Sequence, residues 1–103
     1  NARLALFRVG LEALRNVVSH ANASRVQLRL ERTGPDLELE VSDNGRGFEP
    51  AEEHPQRLGL KVMRERMLAV GGNLWVESKS GQGTHVLARL PWPRQFALKE
   101  PSV

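Results

Sequence analysis

In Leu37-Glu38-Leu39-Glu40-Val41-Ser42-Asp43-Asn44-Gly45-Arg46-Gly47-Phe48, strict alternation of apolar and polar residues runs into a glycine-rich loop. Alternation with period two is the mark of a half-buried strand. Asp43 continues the odd-numbered set of Leu37, Leu39 and Val41, so it points to the core side. An unpartnered polar group there costs roughly 2–7 kcal/mol. Asn44-Gly45 is a strong hairpin signal, which offers Asp43 the role of a turn cap. A hairpin needs a matching strand directly after the turn. The chain instead continues into Gly47-Phe48-Glu49-Pro50. The better reading is an acceptor whose donor comes from outside the chain.

Working outward, Val26, Leu28 and Leu30 alternate with Gln27, Arg29 and Glu31, and Thr33-Gly34-Pro35-Asp36 joins the two strands as a turn. Upstream, residues 3–21 predict an amphipathic helix with Leu4, Phe7, Leu11, Leu14 and Val18 on its buried stripe. Gly10 is a mild cost within it. Glu12, Asn16 and His20 form a ridge opposite that stripe. A carboxylate and a carboxamide one turn apart suit Mg²⁺, although such a ridge by itself reads as a solvated face. Downstream, residues 48–58 predict a loop and residues 59–70 a second helix. Leu60, Met63, Met67 and Val70 lie on one side of that helix, and Gly71-Gly72 closes it. Gly59 at its start offers free N–H groups to phosphate. Leu74 and Val76 mark a third strand, Gly81-Gln82-Gly83 a turn, and Val86, Ala88 and Leu90 a fourth strand. The order predicts an α+β fold, a two-layer α/β sandwich with a mixed, mostly antiparallel sheet and helices on one face. We expect one domain over residues 1–92 and a tail over 93–103.

Composition sets the outer limits. The chain has 103 residues, enough for one domain with a real core. With no Cys there is neither a disulfide scaffold nor a thiolate metal site. No apolar run is long enough to span a bilayer, and no signal peptide pattern opens the sequence. The net charge of +3 invites a nucleic-acid reading. The charge is dispersed, however: residues 36–53 hold seven acids and one base (Arg46), while Arg57, Lys61, Arg64 and Arg66 follow. We expect no nucleic-acid partner. A helix starting at the first residues suggests a piece of a longer protein.

Neither the Walker pattern nor a complete G-x-G-x-x-G occurs. Glu12-Ala13-Leu14-Arg15-Asn16 followed by His20-Ala21, however, resembles the N box of the histidine-kinase ATP-binding domain. Asp43-Asn44-Gly45-Arg46-Gly47-Phe48 resembles its D-x-G-x-G box. Gly59-Leu60 with Met63-Arg64-Glu65-Arg66 resembles the next glycine box, and Ser80-Gly81-Gln82-Gly83-Thr84 the last. The four stand in the family's order and cover about residues 4–91. The wording is similar to the sensor kinases related to the nitrate/nitrite sensors.

The resemblance implies the Bergerat (GHKL) fold, ATP and Mg²⁺ as cofactors, and a role for each box. Asp43 would accept a hydrogen bond from the adenine 6-amino group, with Thr84 beside it and Gly83 in the same box. Asn16 would bind Mg²⁺, with Glu12 polarising water or positioning the metal, the two forming the catalytic pair. Gly45 and Gly47 would let the chain pass close to the nucleotide. Gly59 and the Leu60 backbone would approach phosphate, with His20, Arg15 or Lys61 reaching phosphate oxygens, and residues 48–58 would form the lid. Arg57 stands where the family often has Gly. The resemblance also implies partners outside the chain: a dimerisation and phosphoacceptor domain of the same parent, and indirectly a response regulator. His20, His54 and His85 do not resemble the acceptor motif, so the isolated domain is expected to be a monomer and nearly inactive. The parent is expected to be a membrane-bound sensor with this domain on the cytoplasmic side and in no direct contact with the membrane. An anti-sigma-type serine protein kinase and a non-catalytic nucleotide-binding module are the alternatives.

Overall fold

The fold was obtained as a computed structural model that describes residues 2–49 and 55–92. Helix α1 (Ala2–Asn16) runs directly into a π-helical turn, Val17–Ala21, which stops at Asn22 in the left-handed region (φ 49°). Strands β1 (Val26–Thr33) and β2 (Asp36–Asp43) form the predicted antiparallel hairpin, with Thr33 opposite Asp36 across the Gly34-Pro35 turn. Helix α2 (Pro55–Ala69) and strands β3 (Asn73–Lys79) and β4 (Gly83–Pro91) complete the described chain. The sheet order is β1-β2-β4-β3. Every strand pair among the described residues is antiparallel, which resolves the mixed sheet expected from sequence. The α+β two-layer arrangement stands as expected. The expected tail, residues 93–103, lies outside the described residues.

The β2–β4 register puts Leu37 opposite Leu90, Leu39 opposite Ala88, Val41 opposite Val86 and Asp43 opposite Thr84. These pairs face the helices, and Val9, Met67, Leu74 and Leu90 are the large side chains buried deepest between the layers. Each such side chain contributes at most about 1.5–3 kcal/mol of hydrophobic stabilisation. The other face of the sheet is an ionic lattice. Arg89 donates to Glu38 (Nε to Oε2, 2.8 Å), Arg29 donates to Glu40 (3.2 Å), and His85 pairs with Glu40. Glu38 is only 7% exposed, because Arg89, Arg29 and Thr33 close over it.

One sequence expectation is overturned. The buried stripe of α1 is Ala5, Leu6, Val9, Ala13 and Asn16, while Leu4, Phe7, Leu11 and Val18 are exposed and Leu14 is only partly packed. Close approach explains the choice. A Cβ on Gly10 would sit 3.2 Å from Leu39 Cδ2, so α1 lies on the sheet through its small residues. Phe7, Leu11 and Leu14 flank this contact and line a groove against Leu28 and Leu30 of β1.

A second expectation shifts in extent. Helix α2 starts at Pro55 rather than Gly59, since Pro suits a first helical turn. Gly59 is therefore its fifth residue. The four donors that lack an intrahelical partner fall before it. Of the expected lid, residues 50–54 lie outside the described residues. The end of α2 is as expected: Gly71 adopts φ +84°, and the Gly72 amide returns to the Met67 carbonyl at 2.9 Å.

Candidate functional site

Asp43 ends β2 on the helix-facing side, directly across from Thr84. Its Oδ1 accepts the Gly45 amide at 2.8 Å. The cap offered by the Asn-Gly turn and the free acceptor are thus both present in one carboxylate. Oδ2 has no protein partner among the described residues. Thr84 is buried, and its hydroxyl meets Ser78 Oγ at 2.8 Å. Ser78 in turn accepts the Phe48 amide (2.8 Å) and lies 3.1 Å from the Gly83 carbonyl as donor. Sequence reading missed Ser78. The signal that reveals it is register, since Ser78 stands opposite Thr84 on β3.

Glycine holds this end of the site together. At Gly83 (φ +84°) a side chain would collide with the Asp43 carbonyl, and at Gly47 (φ +62°) with the carbonyls of Lys79 and Gly83. The Gly81 amide donates to the Arg46 carbonyl at 2.6 Å. The loop after β2 and the turn before β4 are thus pressed backbone to backbone, with Gly45 buried beneath. Gly47 and Gly83 therefore serve loop-on-turn packing as well as any approach to a ligand.

The second half of the site lies on the helices. Asn16 is 4% exposed and closes α1, and its Nδ2 finds no acceptor among the described residues. It belongs to the buried stripe rather than to a solvated ridge. The π turn begins at the next residue, and such turns often mark functional sites. Glu12 is half-buried against Gly59, whose Cβ would overlap the Glu12 carboxylate. Leu60 is buried in the core beside it. His20 lies in the π turn, and its side chain is outside the described set.

Asn44, another residue the sequence reading missed, ties the halves together. Its Oδ1 accepts the amides of Ser24 (3.0 Å) and Arg25 (2.9 Å), and its Nδ2 donates to Ser24 Oγ (2.9 Å). The connection leaving the π turn is thereby fixed beside Asp43.

The donor set also tests metal binding. No group of three or more His, Cys, Asp or Glu able to hold a metal occurs among the described residues. A complete protein cage is therefore absent from that part of the chain. One carboxamide and one nearby carboxylate suit Mg²⁺, which keeps waters and phosphate oxygens as its other ligands. Turning the Asn16 amide over would place its oxygen where the unpaired Nδ2 now lies. The residues fit that ion.

Proteins of similar sequence and fold identify the family of the chain. Residues 1–94 match the family described as histidine kinase-, DNA gyrase B-, and HSP90-like ATPase. The chain is 34% identical over 91 residues to the signal transduction histidine-protein kinase/phosphatase DegS of Brevibacillus brevis, covering 88% of this chain and 24% of that protein. It is 37% identical over 90 residues to the sensor protein VraS of Staphylococcus haemolyticus, covering 87% and 26%. The chain thus spans about a quarter of the length of these curated relatives. Among solved structures, the blue-light activated histidine kinase EL346 of Erythrobacter litoralis is similar with a TM-score of 0.66 and 33% identity, over 88% of this chain and 31% of that one. The structure of full-length ShkA in complex with AMPPNP has a TM-score of 0.71 at 23% identity, over 86% and 22%, which supports the fold alone. No described helix is long and apolar enough to cross a membrane. From its sequence match and its fold, the chain belongs to the histidine kinase-, DNA gyrase B- and HSP90-like ATPase family.

Proposed function

We propose that this chain is the ATP-binding catalytic module of a sensor histidine kinase, supplying the phosphoryl donor site in two-component signalling. The observation that carries this reading is Asn16, a buried carboxamide at the end of α1 whose Nδ2 has no hydrogen-bond partner among the described residues. A buried polar group without a partner costs about 1–3 kcal/mol. That cost is understandable where a ligand completes the site.

In this reading Asp43 recognises the base. Oδ1 is held by Gly45, so Oδ2 is oriented to accept the adenine 6-amino group. A guanine oxygen there would set two acceptors face to face, and an unmade hydrogen bond in an enclosed site discriminates strongly. Thr84, oriented by Ser78, completes the adenine end. Asn16 and Glu12 would hold Mg²⁺. When bound, that ion offsets the negative charge of the phosphate oxygens. Gly59 keeps the Glu12 carboxylate in place by leaving it room. The work of these residues is positioning and charge stabilisation.

The acceptor histidine belongs, we propose, to a dimerisation domain elsewhere in the parent protein, with a response regulator downstream. His85 is committed to Glu40 on the opposite face of the sheet, away from Asp43 and Asn16. Titration of the chain with Mg-ATP by calorimetry tests the reading, with Mg-GTP and the Asp43→Asn variant as controls. We expect saturable ATP binding, weak GTP binding and loss of at least tenfold in affinity for the variant. Equal affinity for wild type and variant refutes the adenine contact.

A further inference from the structure

A single hydroxyl joins three parts of the candidate site. Ser78 follows Leu74 and Val76 on the helix-facing side of β3 and stands opposite Thr84 of β4. Its oxygen accepts the Phe48 amide at 2.8 Å and lies 3.1 Å from the Gly83 carbonyl and 2.8 Å from Thr84 Oγ1. Phe48 belongs to the loop after Asp43, and Gly83 to the turn pressed against that loop. Thr84 faces Asp43 across the β2–β4 pair.

Proton counting restricts what this cluster does. A serine hydroxyl has one proton and two lone pairs. The Phe48 amide takes one lone pair. The proton then has two acceptors in reach, the Gly83 carbonyl and Thr84 Oγ1. If it goes to Gly83, Thr84 donates to Ser78 and shows a ligand only lone pairs. If it goes to Thr84, the proton of Thr84 is released to point into the site. Thr84 is 4% exposed, and Ser78 is the one hydrogen-bond partner of its side chain among the described residues. Ser78 therefore sets whether Thr84 is a donor or an acceptor toward the site.

Adenine and guanine differ at this point. The ring nitrogen beside the adenine 6-amino group carries a lone pair, whereas the guanine nitrogen in the same place carries a hydrogen. Directly opposed residues on one sheet face have Cβ atoms about 5 Å apart, so Asp43 and Thr84 together reach two adjacent groups on one edge of a base.

We infer that Ser78 is a positioning residue for base selection: by donating to Thr84 it makes Thr84 a donor to the ring nitrogen beside the 6-amino group. This rests on the reading above that Asp43 meets that amino group. Adenine is then recognised twice, by Asp43 at the exocyclic group and by Thr84 at the ring. The Phe48 amide holds the Ser78 oxygen in place while its proton changes partner.

Calorimetric titration with Mg-ATP and with the Mg²⁺ complex of 1-deaza-ATP tests the inference. The analogue keeps the 6-amino group and replaces the ring nitrogen by C–H. We expect the wild type to bind ATP about tenfold more tightly than the analogue, the equivalent of roughly one hydrogen bond. In Ser78→Ala that gap should close, with ATP binding falling to the level of the analogue. Ser78→Thr keeps a hydroxyl and suits a strand, and it should keep the gap. An equal loss of affinity for both ligands in Ser78→Ala, with the gap intact, assigns Ser78 to the fold alone and overturns the inference. Absence of a gap in the wild type overturns it without any variant, and so does a Ser78→Thr protein that behaves as Ser78→Ala. Where Ser78→Ala does not fold, Ser78→Cys takes its place. Its weak thiol donor should narrow the gap, and an undiminished gap refutes the inference. The two readings stay separable. Lack of saturable ATP binding refutes the proposed function, whereas ATP binding without a gap refutes only the role of Ser78.

Discussion

Gly59 of α2 lies against the carboxylate of Glu12 on α1, leaving no space for even a methyl group. The neighbour is the end of a flexible side chain, so an added Cβ displaces the carboxylate rather than the helices. Alanine is also the better helix former by roughly 0.8–1 kcal/mol. For Gly59→Ala we therefore expect a melting temperature equal to or slightly above wild type. Affinity for Mg-ATP should fall about tenfold, equivalent to roughly 1.4 kcal/mol. A variant that binds Mg-ATP as tightly as wild type removes Glu12 from the proposed site.

Asn16 offers the opposite trade. It buries an amide whose Nδ2 is unpaired among the described residues, in an otherwise apolar stripe. Replacing an unsatisfied polar group by an apolar one of similar shape is neutral or stabilising. Asn16→Leu should raise the stability of the nucleotide-free protein by about 1 kcal/mol in urea denaturation. The same variant should lose the Mg²⁺ dependence of ATP binding. Marked destabilisation, by about 2 kcal/mol or more, shows instead that the amide serves the fold.

These two residues also show where sequence is informative. The strands were legible because β2 and β4 alternate cleanly and each has one face in the core. The core side of α2 was legible for the same reason, since Leu60 and Met67 are indeed buried. The face of α1 was not. Periodicity selects the largest apolar residues, whereas the sheet accepts the helix through Ala5, Gly10 and Ala13, which permit close approach. Asp43 was placed correctly by counting in twos, but its bond to Gly45 depends on loop geometry. Ser78 and Asn44 were illegible singly, because their partners lie in other strands or loops: Thr84 six residues away and Ser24 twenty away.

Two glycines of similar φ should respond very differently to alanine. Gly34 (φ +61°) has open space where a Cβ would go, whereas Gly83 (φ +84°) faces the Asp43 carbonyl. Left-handed backbone alone costs a non-glycine residue about 1–2 kcal/mol. Gly34→Ala should cost about that much. Gly83→Ala adds a backbone collision and should cost at least about 2 kcal/mol more, within the range of strained and overpacked substitutions. Denaturant midpoints measured side by side check the difference. Similar midpoints for both variants mean that the loop and turn can separate freely.

Acid should weaken the fold through its ionic sheet face. The hydrogen bond from His85, reinforced by that from Arg29, holds Glu40 below its ordinary value of 4.5. Arg89, followed by Thr33, does the same for Glu38. A carboxylate whose pKa is lower in the folded state stabilises the fold above its unfolded value, and that contribution is lost as pH falls through the folded value. Stability should therefore be level above pH 4.5 with respect to these two groups and decline below it. The Glu38→Gln, Glu40→Gln double variant should be less stable than wild type at neutral pH, and the two should converge as the medium becomes more acidic. Melting curves collected from neutral pH downward, at low salt to limit screening, check the convergence. A stability difference that stays constant with pH assigns the loss to side-chain packing rather than to charge.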